Sequence, residues 1–241
     1  MTSASSSSQW PDSSTGKRDV GVPSGPGGPP HLSIRPRAAV VVAHPDDETL
    51  WCGGYILTHP EFHWRIVTLC RAGDADRAPK FRQVVQRFGA EGEMADLDDG
   101  PDQAPLPSGQ AEETTAQLLA GNSYDLILTH GPNGEYTQHR RHAECCRAVV
   151  ELWRSGRIDT NRLWMFAYED GDRAYLPRVQ EEADRRDLLP DDVWVEKRRL
   201  ITDLYGFGPD SWEVLTTPRH EGFRCFYSAR EAVLKLLDKR S

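Results

Sequence analysis

The sequence predicts an α/β fold, a Rossmann-like three-layer sandwich with a mostly parallel sheet, and three observations carry that prediction. The run A-A-V-V-V-A at positions 38–43 is short, wholly apolar and β-branched at its centre, the pattern of a strand buried on both faces. Downstream, strand-like and helix-like segments alternate. Their spacing suits right-handed crossovers, which place helices on both faces of a parallel sheet and ligands beyond the strand C-terminal ends.

Taken in order, the pattern after the first strand predicts a helix over 46–57, a strand over 64–70, a helix over 80–88 and a weak strand over 94–97. A Pro/Gly/Asp-rich loop, 98–109, leads to a helix over 112–120, a strand over 125–129, a helix over 139–153 and a fifth strand over 163–168. Residues 173–190 read as a long charged loop, with helices near 193–204 and 229–239. No internal repeat is visible.

Residues 1–36 are Ser, Gly and Pro with almost no periodic apolar residues, a composition that cannot offset the entropy of ordering, so a disordered tail is expected there and one domain over 37–241. At 38% hydrophobic and 27% charged residues, the 241-residue chain can bury a core without staples. The formal charge of -8 supplies no basic face for nucleic acid or an anionic membrane, so neither is an expected partner. Cys52, Cys70, Cys145, Cys146 and Cys225 are odd in number and never spaced C-x-x-C, which reads as reduced thiols. With a Ser-rich start and no apolar run near the ~18 residues of a membrane span, a cytoplasmic location is expected.

Two stretches carry chemistry. Ala43-His44-Pro45-Asp46-Asp47-Glu48 follows the first strand and opens a helix. With His44 as the cap and Pro45 as the first helical residue, Asp46 and Asp47 fall in the first turn, where the helix dipole favours carboxylates. Residues three apart share a helix face, so His44 and Asp47 converge with Asp46 beside them. The bland reading is an acid-capped helix with a core histidine.

The second stretch runs from the fourth strand, Thr129-His130, through Gly131-Pro132-Asn133-Gly134-Glu135-Tyr136 to His139-Arg140-Arg141-His142. Its H-x-x-H pair alone could be a solvated helix face. Both stretches open on the same sheet edge, however, so His142 or His139 can complete a three-ligand site for Zn²⁺ with open positions for water and substrate.

Residues 43–48 resemble the A-H-P-D-D-E motif of the LmbE/PIG-L N-acetylglucosaminyl deacetylases, and residues 129–142 resemble their second motif. The resemblance spans roughly residues 38–225 and is sharp in these two places. It implies zinc held by His44, Asp47 and His142, with Asp46 as general base and His139 as a cationic oxyanion stabiliser and proton donor. It also points to Tyr136 near the oxyanion, although the spacing to His139 is one residue longer than in the family.

Two departures and one further match stand out. Arg140-Arg141 replaces a middle pair that is commonly acidic, which removes a carboxylate that would orient a ligand. The acidic residue that the family often shows after the glycine of 68–73 is matched here by Asp74, and Arg71 and Asp74 lie in reach of substrate or in a solvated loop. Gly206-Phe207 stands where the family commonly has Ser-Gln. Elsewhere, His130 reads as a loop histidine satisfied by backbone, His59, His63 and His220 lack partners at ligand spacing, and Gly53-Gly54 does not form a dinucleotide-binding pattern.

The expected function is therefore a zinc-dependent hydrolase that removes acetyl from an N-acetylglucosamine-type sugar or glycoconjugate, with a small-molecule amino-sugar substrate and a homo-oligomer compatible with the sequence. The alternatives are an amidase on another acyl amide and a non-catalytic metabolite-binding protein on the same fold. Asp46 argues against the last, since a binder needs no base beside a metal.

Overall fold

A computed structural model of the chain describes residues 35–136 and 139–237, so the expected tail lies, up to residue 34, outside the described residues. Strand β1, Arg37–Val42, is flanked by β2, His63–Cys70, and by β4, Leu126–Thr129, and pairs in parallel with both. β3, Glu91–Leu97, extends the sheet beyond β2, and β5, Leu163–Phe166, extends it beyond β4, again in parallel. The order β3-β2-β1-β4-β5 reverses direction at β1, which creates a topological switch point between the C-terminal ends of β1 and β4.

The helices α1 (Asp47–Thr58), α2 (Arg77–Phe88), α3 (Gln110–Leu119) and α4 (Arg140–Arg154) are the crossovers. Alternation along β1 decides the layers. Ala38, Val40 and Val42 pack with Leu50 and Trp51 of α1 and Phe81 and Val84 of α2, while Ala39 and Val41 pack with Leu118 of α3 and Val149 of α4. Both faces of the strand are fully buried, as its apolar run predicts, and each of its buried valines contributes about 1.5–3 kcal/mol.

Two antiparallel strands complete the sheet. β6, Arg185–Leu188, pairs with β7, His220–Phe226, which pairs in turn with β5. The loop expected over 173–190 thus contains an edge strand. The segment R-R-D-L has no apolar run to announce it, because an edge strand is held by main-chain bonds to its neighbour and alternates polar side chains into solvent. β7 was likewise not anticipated.

The C-terminal helices are α5 (Asp191–Arg199), α6 (Trp212–Thr216) and α7 (Ala229–Leu237). The helix expected over 193–204 ends as a π-helical turn, Leu200–Leu204. No helix of the described residues is long and apolar enough to cross a membrane.

Candidate metal centre

The first motif does not fold as the simple helix start its sequence suggests. Helix α1 begins at Asp47, and Pro45 lies outside it. Asp46 is the cap, at φ 111° and ψ −29°, a left-handed conformation that costs a non-glycine residue on the order of 1–3 kcal/mol. Its carbonyl accepts the first helical bonds, from Thr49 at 3.0 Å and Leu50 at 2.8 Å. A tight turn rather than helical periodicity therefore brings His44 and Asp47 together: Asp47 Oδ2 accepts the His44 backbone N–H at 2.9 Å.

The second motif enters from the other side of the switch point. β4 ends at Thr129, and Gly131 follows with its Cα so close to the Phe166 carbonyl that a Cβ would lie 2.7 Å from that oxygen, so only glycine fits the loop there. The chain then returns through Glu135 and enters α4, whose second residue beyond the start is His142.

These two paths bring three atoms to one point. His44 Nδ1 lies 3.1 Å from Asp47 Oδ2, His142 Nε2 lies 3.3 Å from the same oxygen, and His142 Nε2 lies 3.3 Å from His44 Nδ1. A tetrahedral zinc with bonds of about 2.0–2.1 Å separates its ligand atoms by about 3.3 Å.

The far side of each ligand is fixed by an acidic or indole partner. His44 Nε2 donates to Asp99 Oδ1 at 3.1 Å, which leaves Nδ1 as the lone-pair nitrogen. His142 Nδ1 donates to Glu135 Oε2 at 2.6 Å, which leaves Nε2. Trp51 Nε1 donates to Asp47 Oδ1 at 3.0 Å, which leaves Oδ2. Three lone pairs thus face one another without a proton between them, a repulsive arrangement unless a cation or an added proton sits among them. The donor set fits Zn²⁺: two imidazoles and one carboxylate, each backed by a hydrogen-bonding partner.

The electrostatics say the same. Burial alone raises the Asp47 carboxyl, but His142 and His130 hold it well below the usual carboxylate range. Burial lowers His44 and His142, yet Asp47 outweighs it, with help from Asp99 at His44 and from Glu135 at His142, so both end above their ordinary value. Glu135 is fully buried, and although burial opposes ionisation, His130 and His142 bring it from 4.5 to about 2.

Among the described residues, two other histidines approach the cluster. His130 accepts the Ala43 N–H on Nε2 at 2.9 Å and donates from Nδ1 to Glu135 at 2.7 Å, so backbone satisfies it and its Nε2 faces a donor. Against burial, Glu135 and Asp47 pull its pKa up to about 9. His139 precedes α4, and its buried Nδ1 has no hydrogen-bond partner. Burial, then His142 and His44, push it down to about 3, which disfavours the cationic form the family resemblance implies.

Asp46 contributes no atom to the triad but lines the cavity beside it. Its carboxylate pairs with Arg77 at 3.2 Å, and burial and the adjacent Asp47 raise its pKa well above the usual range against that arginine. A cavity of about 200 Å³ is lined by His44, Asp46, Asp47, Tyr136, His139 and Trp212. A larger cavity of about 720 Å³, walled by Arg140, Arg147, Tyr168 and Asp170, does not reach the triad but shares Tyr136 and His139 with the smaller one. Tyr136 packs on Trp212 with ring centroids 4.6 Å apart.

Sequence reasoning missed Asp99, Glu135 and Trp212. It also took Arg140-Arg141 to mean that no carboxylate orients a ligand, whereas Glu135 supplies that group from within the loop. Arg141 is buried and structural: Nη2 donates to the Ala104 carbonyl at 2.8 Å and Nε to the Asp98 carbonyl, so it clamps the segment that carries Asp99. Arg71 is engaged by Asp99 at 2.8 Å, and Asp74 accepts the Asp76 and Arg77 backbone N–H groups at 2.9 Å, capping the start of α2.

Fold and site together define an α/β protein with a carboxylate-backed histidine–aspartate centre at the switch point of its sheet. More narrowly, the PIG-L family model, described as GlcNAc-PI de-N-acetylase, matches residues 39–153, which hold both motifs. No curated protein matches the sequence. Among solved structures the chain is similar to GalB, the 4-carboxy-2-hydroxymuconate hydratase of Pseudomonas putida KT2440, with TM-score 0.61 and 16% identity over 80% of this chain and 96% of that one. It is similar to the N,N'-diacetylchitobiose deacetylase of Pyrococcus horikoshii, with TM-score 0.61 and 13% identity over 79% and 84%. The A40926 pseudoaglycone deacetylase Dbv21 follows at TM-score 0.57 and 14% identity over 80% and 98%. At such identities the likeness is one of fold.

Proposed function

We propose that the chain hydrolyses the acetamide of an N-acetylated amino sugar or glycoconjugate, with zinc held by His44, Asp47 and His142. The observation that carries the reading is the meeting of three lone pairs within 3.3 Å, each aimed by a partner on its far side. Bound there, zinc supplies Lewis-acid chemistry, lowering the pKa of a water from 15.7 toward about 7 and polarising the amide carbonyl.

The chain's own residues do the rest. Asp46, beside the triad and facing the small cavity, takes a proton from the attacking water as the C–O bond forms. His139 lines the same cavity with an unpartnered Nδ1 and acts as a neutral hydrogen-bond donor to the carbonyl oxygen as charge develops. When the C–N bond breaks, Asp46 returns its proton to the leaving amine, giving acetate and an amino sugar. The larger cavity, sharing Tyr136 and His139, has room for the remainder of a glycoconjugate. A cytoplasmic site of action agrees with five free thiols, four of them buried.

One observation favours a second reading. GalB shares the fold and is a hydratase, so water activation on this scaffold is not tied to amides. Acetate release distinguishes the two. A panel of N-acetylated amino sugars and other acyl amides, assayed with zinc-stripped and zinc-restored protein, should show zinc-dependent acetate release from at least one amino sugar. Turnover confined to another acyl amide, or to hydration without acetate, would replace the proposal.

A further inference from the structure

Two independent supports hold Asp46, and both lead to one stretch of chain that contributes no group to the cavity chemistry. The first acts on the backbone. Glu48, fully buried, accepts the Asp46 N–H on Oε2 at 3.1 Å, and its Oε1 accepts the hydroxyls of Thr49 at 2.6 Å and of buried Tyr205 at 2.7 Å. The left-handed turn at Asp46 thus has its N–H satisfied by a carboxylate that cannot rotate while Tyr205 grips it.

The second support acts on the side chain. Arg77 donates to Asp46 Oδ2 at 3.2 Å, and its guanidinium lies over the Phe207 ring, 4.3 Å from the centroid. Stacking on an aromatic face fixes the plane of a guanidinium and hence the direction of its N–H groups.

Tyr205 and Phe207 are delivered by the π-helical turn. Leu200 and Ile201 anchor it in the core, the Tyr205 N–H reaches back to the Leu200 carbonyl at 3.0 Å, and the Phe207 N–H reaches the Ile201 carbonyl at 3.2 Å. Between them Gly206 takes φ 76°, which allows the chain to reverse within one residue so that consecutive aromatics address the two supports. A regular α-helix would rotate Tyr205 by a full residue step away from Glu48, and π turns recur where function requires such a shift.

We infer that the segment 200–207 is a positioning device for Asp46: Tyr205, through Glu48, sets its backbone, and Phe207, through Arg77, sets its carboxylate. Tyr205 and Phe207 are positioning residues, not catalytic ones. The inference rests on Asp46 as the base of the proposed reaction, but the geometry it describes is testable without turnover.

The test uses full-length, zinc-loaded protein and the variants Tyr205→Phe and Phe207→Leu. Amide hydrogen exchange reads the backbone support directly: in Tyr205→Phe the Asp46 N–H should exchange about 5–10-fold faster, while the Val41 N–H in β1 keeps its protection. On the amino sugar that the wild type deacetylates, each variant should lower kcat roughly 10–100-fold with KM and zinc affinity little changed. In an Asp46→Asn background neither should cost anything further, whereas a merely structural role would cost the same factor in both backgrounds and overturn the inference. Unchanged Asp46 exchange in Tyr205→Phe would also overturn it. If the wild type deacetylates no sugar, the functional proposal fails and exchange alone decides. Should Tyr205→Phe not fold, Thr49→Val removes another donor to the same Glu48 oxygen and is read the same way.

Discussion

Glu135 Oε2 receives the Nδ1–H of His142 at 2.6 Å, and this bond decides which nitrogen of His142 faces the cluster. The same oxygen receives His130 Nδ1 at 2.7 Å, so one buried carboxylate orients two imidazoles with different tasks. His142 is left with Nε2 free toward Asp47 and His44, whereas His130 has Nε2 taken up by the Ala43 backbone.

The first prediction follows from that bond. Glu135→Gln keeps the shape of the side chain but presents an amide where a carboxylate held His142, and zinc affinity should weaken about 10–100-fold, the usual effect of losing a partner behind a metal-binding histidine. Competition against a chromophoric chelator measures this. Wild-type affinity in Glu135→Gln would mean that His142 needs no such support.

A pH effect follows from the raised pKa values of His44 and His142 in the metal-free protein, where burial is outweighed by Asp47 and its neighbours. A histidine whose folded pKa exceeds its unfolded value contributes stability that is full below the unfolded pKa and is lost as pH rises through the folded one. The metal-free protein therefore loses this contribution with rising pH, just as fewer protons compete with zinc. The difference in Tm between zinc-loaded and metal-free protein should widen from about pH 6 to about pH 8.5. A difference that narrows over that range would contradict the assignment of these two histidines.

Glu135 gives the opposite limb. Its folded pKa of about 2 against an ordinary 4.5 adds stability present above pH 4.5 and lost as pH falls toward 2, on the order of 3 kcal/mol at 1.36 per unit. Unfolding of metal-free protein at graded acid pH should show a shallower decline in Glu135→Gln than in wild type. Parallel declines would show that the carboxylate is not ionised in the fold.

Arg141 makes a stability prediction. Buried and bonded to the carbonyls of Asp98 and Ala104 as well as to Glu144, it cannot be removed without leaving acceptors unpaired. Arg141→Met should cost about 3 kcal/mol, or roughly 10 °C in Tm for a chain of this size. Because the same loop carries Asp99, zinc affinity should fall as well. Calorimetry together with chelator competition tests both halves, and an unchanged Tm would remove Arg141 from its structural role.

The parallel half of the fold was legible because its strands are buried on both faces and so are written as apolar runs, Ala38–Ala43 above all. The meeting of His44, Asp47 and His142 was legible for a related reason: each follows a strand whose end opens on the same edge. What escaped was set by partners distant in sequence. Asp99 reaches His44 across 55 residues, and Glu135 becomes an orienting group only through the turn that Gly131 permits. The edge strand Arg185–Leu188 is polar and visible only through its pairing with β7. The start of α1 was misplaced by one residue because no propensity argument anticipates an aspartate at φ 111°.

The adjacent carboxylates Asp46 and Asp47 have nearly the same local sequence and, on the reading proposed here, different work, so the paired variants Asp46→Asn and Asp47→Asn test it most directly. Zinc content by elemental analysis and turnover should be measured on both. Asp46→Asn should keep about one zinc per chain while turnover falls by the ~10²–10⁴-fold that a general base contributes, or about 3–5 kcal/mol of barrier. Asp47→Asn should lose zinc, with activity partly restored by added metal. Wild-type turnover in Asp46→Asn, or loss of zinc from it to the same extent as from Asp47→Asn, would contradict the division of base from ligand.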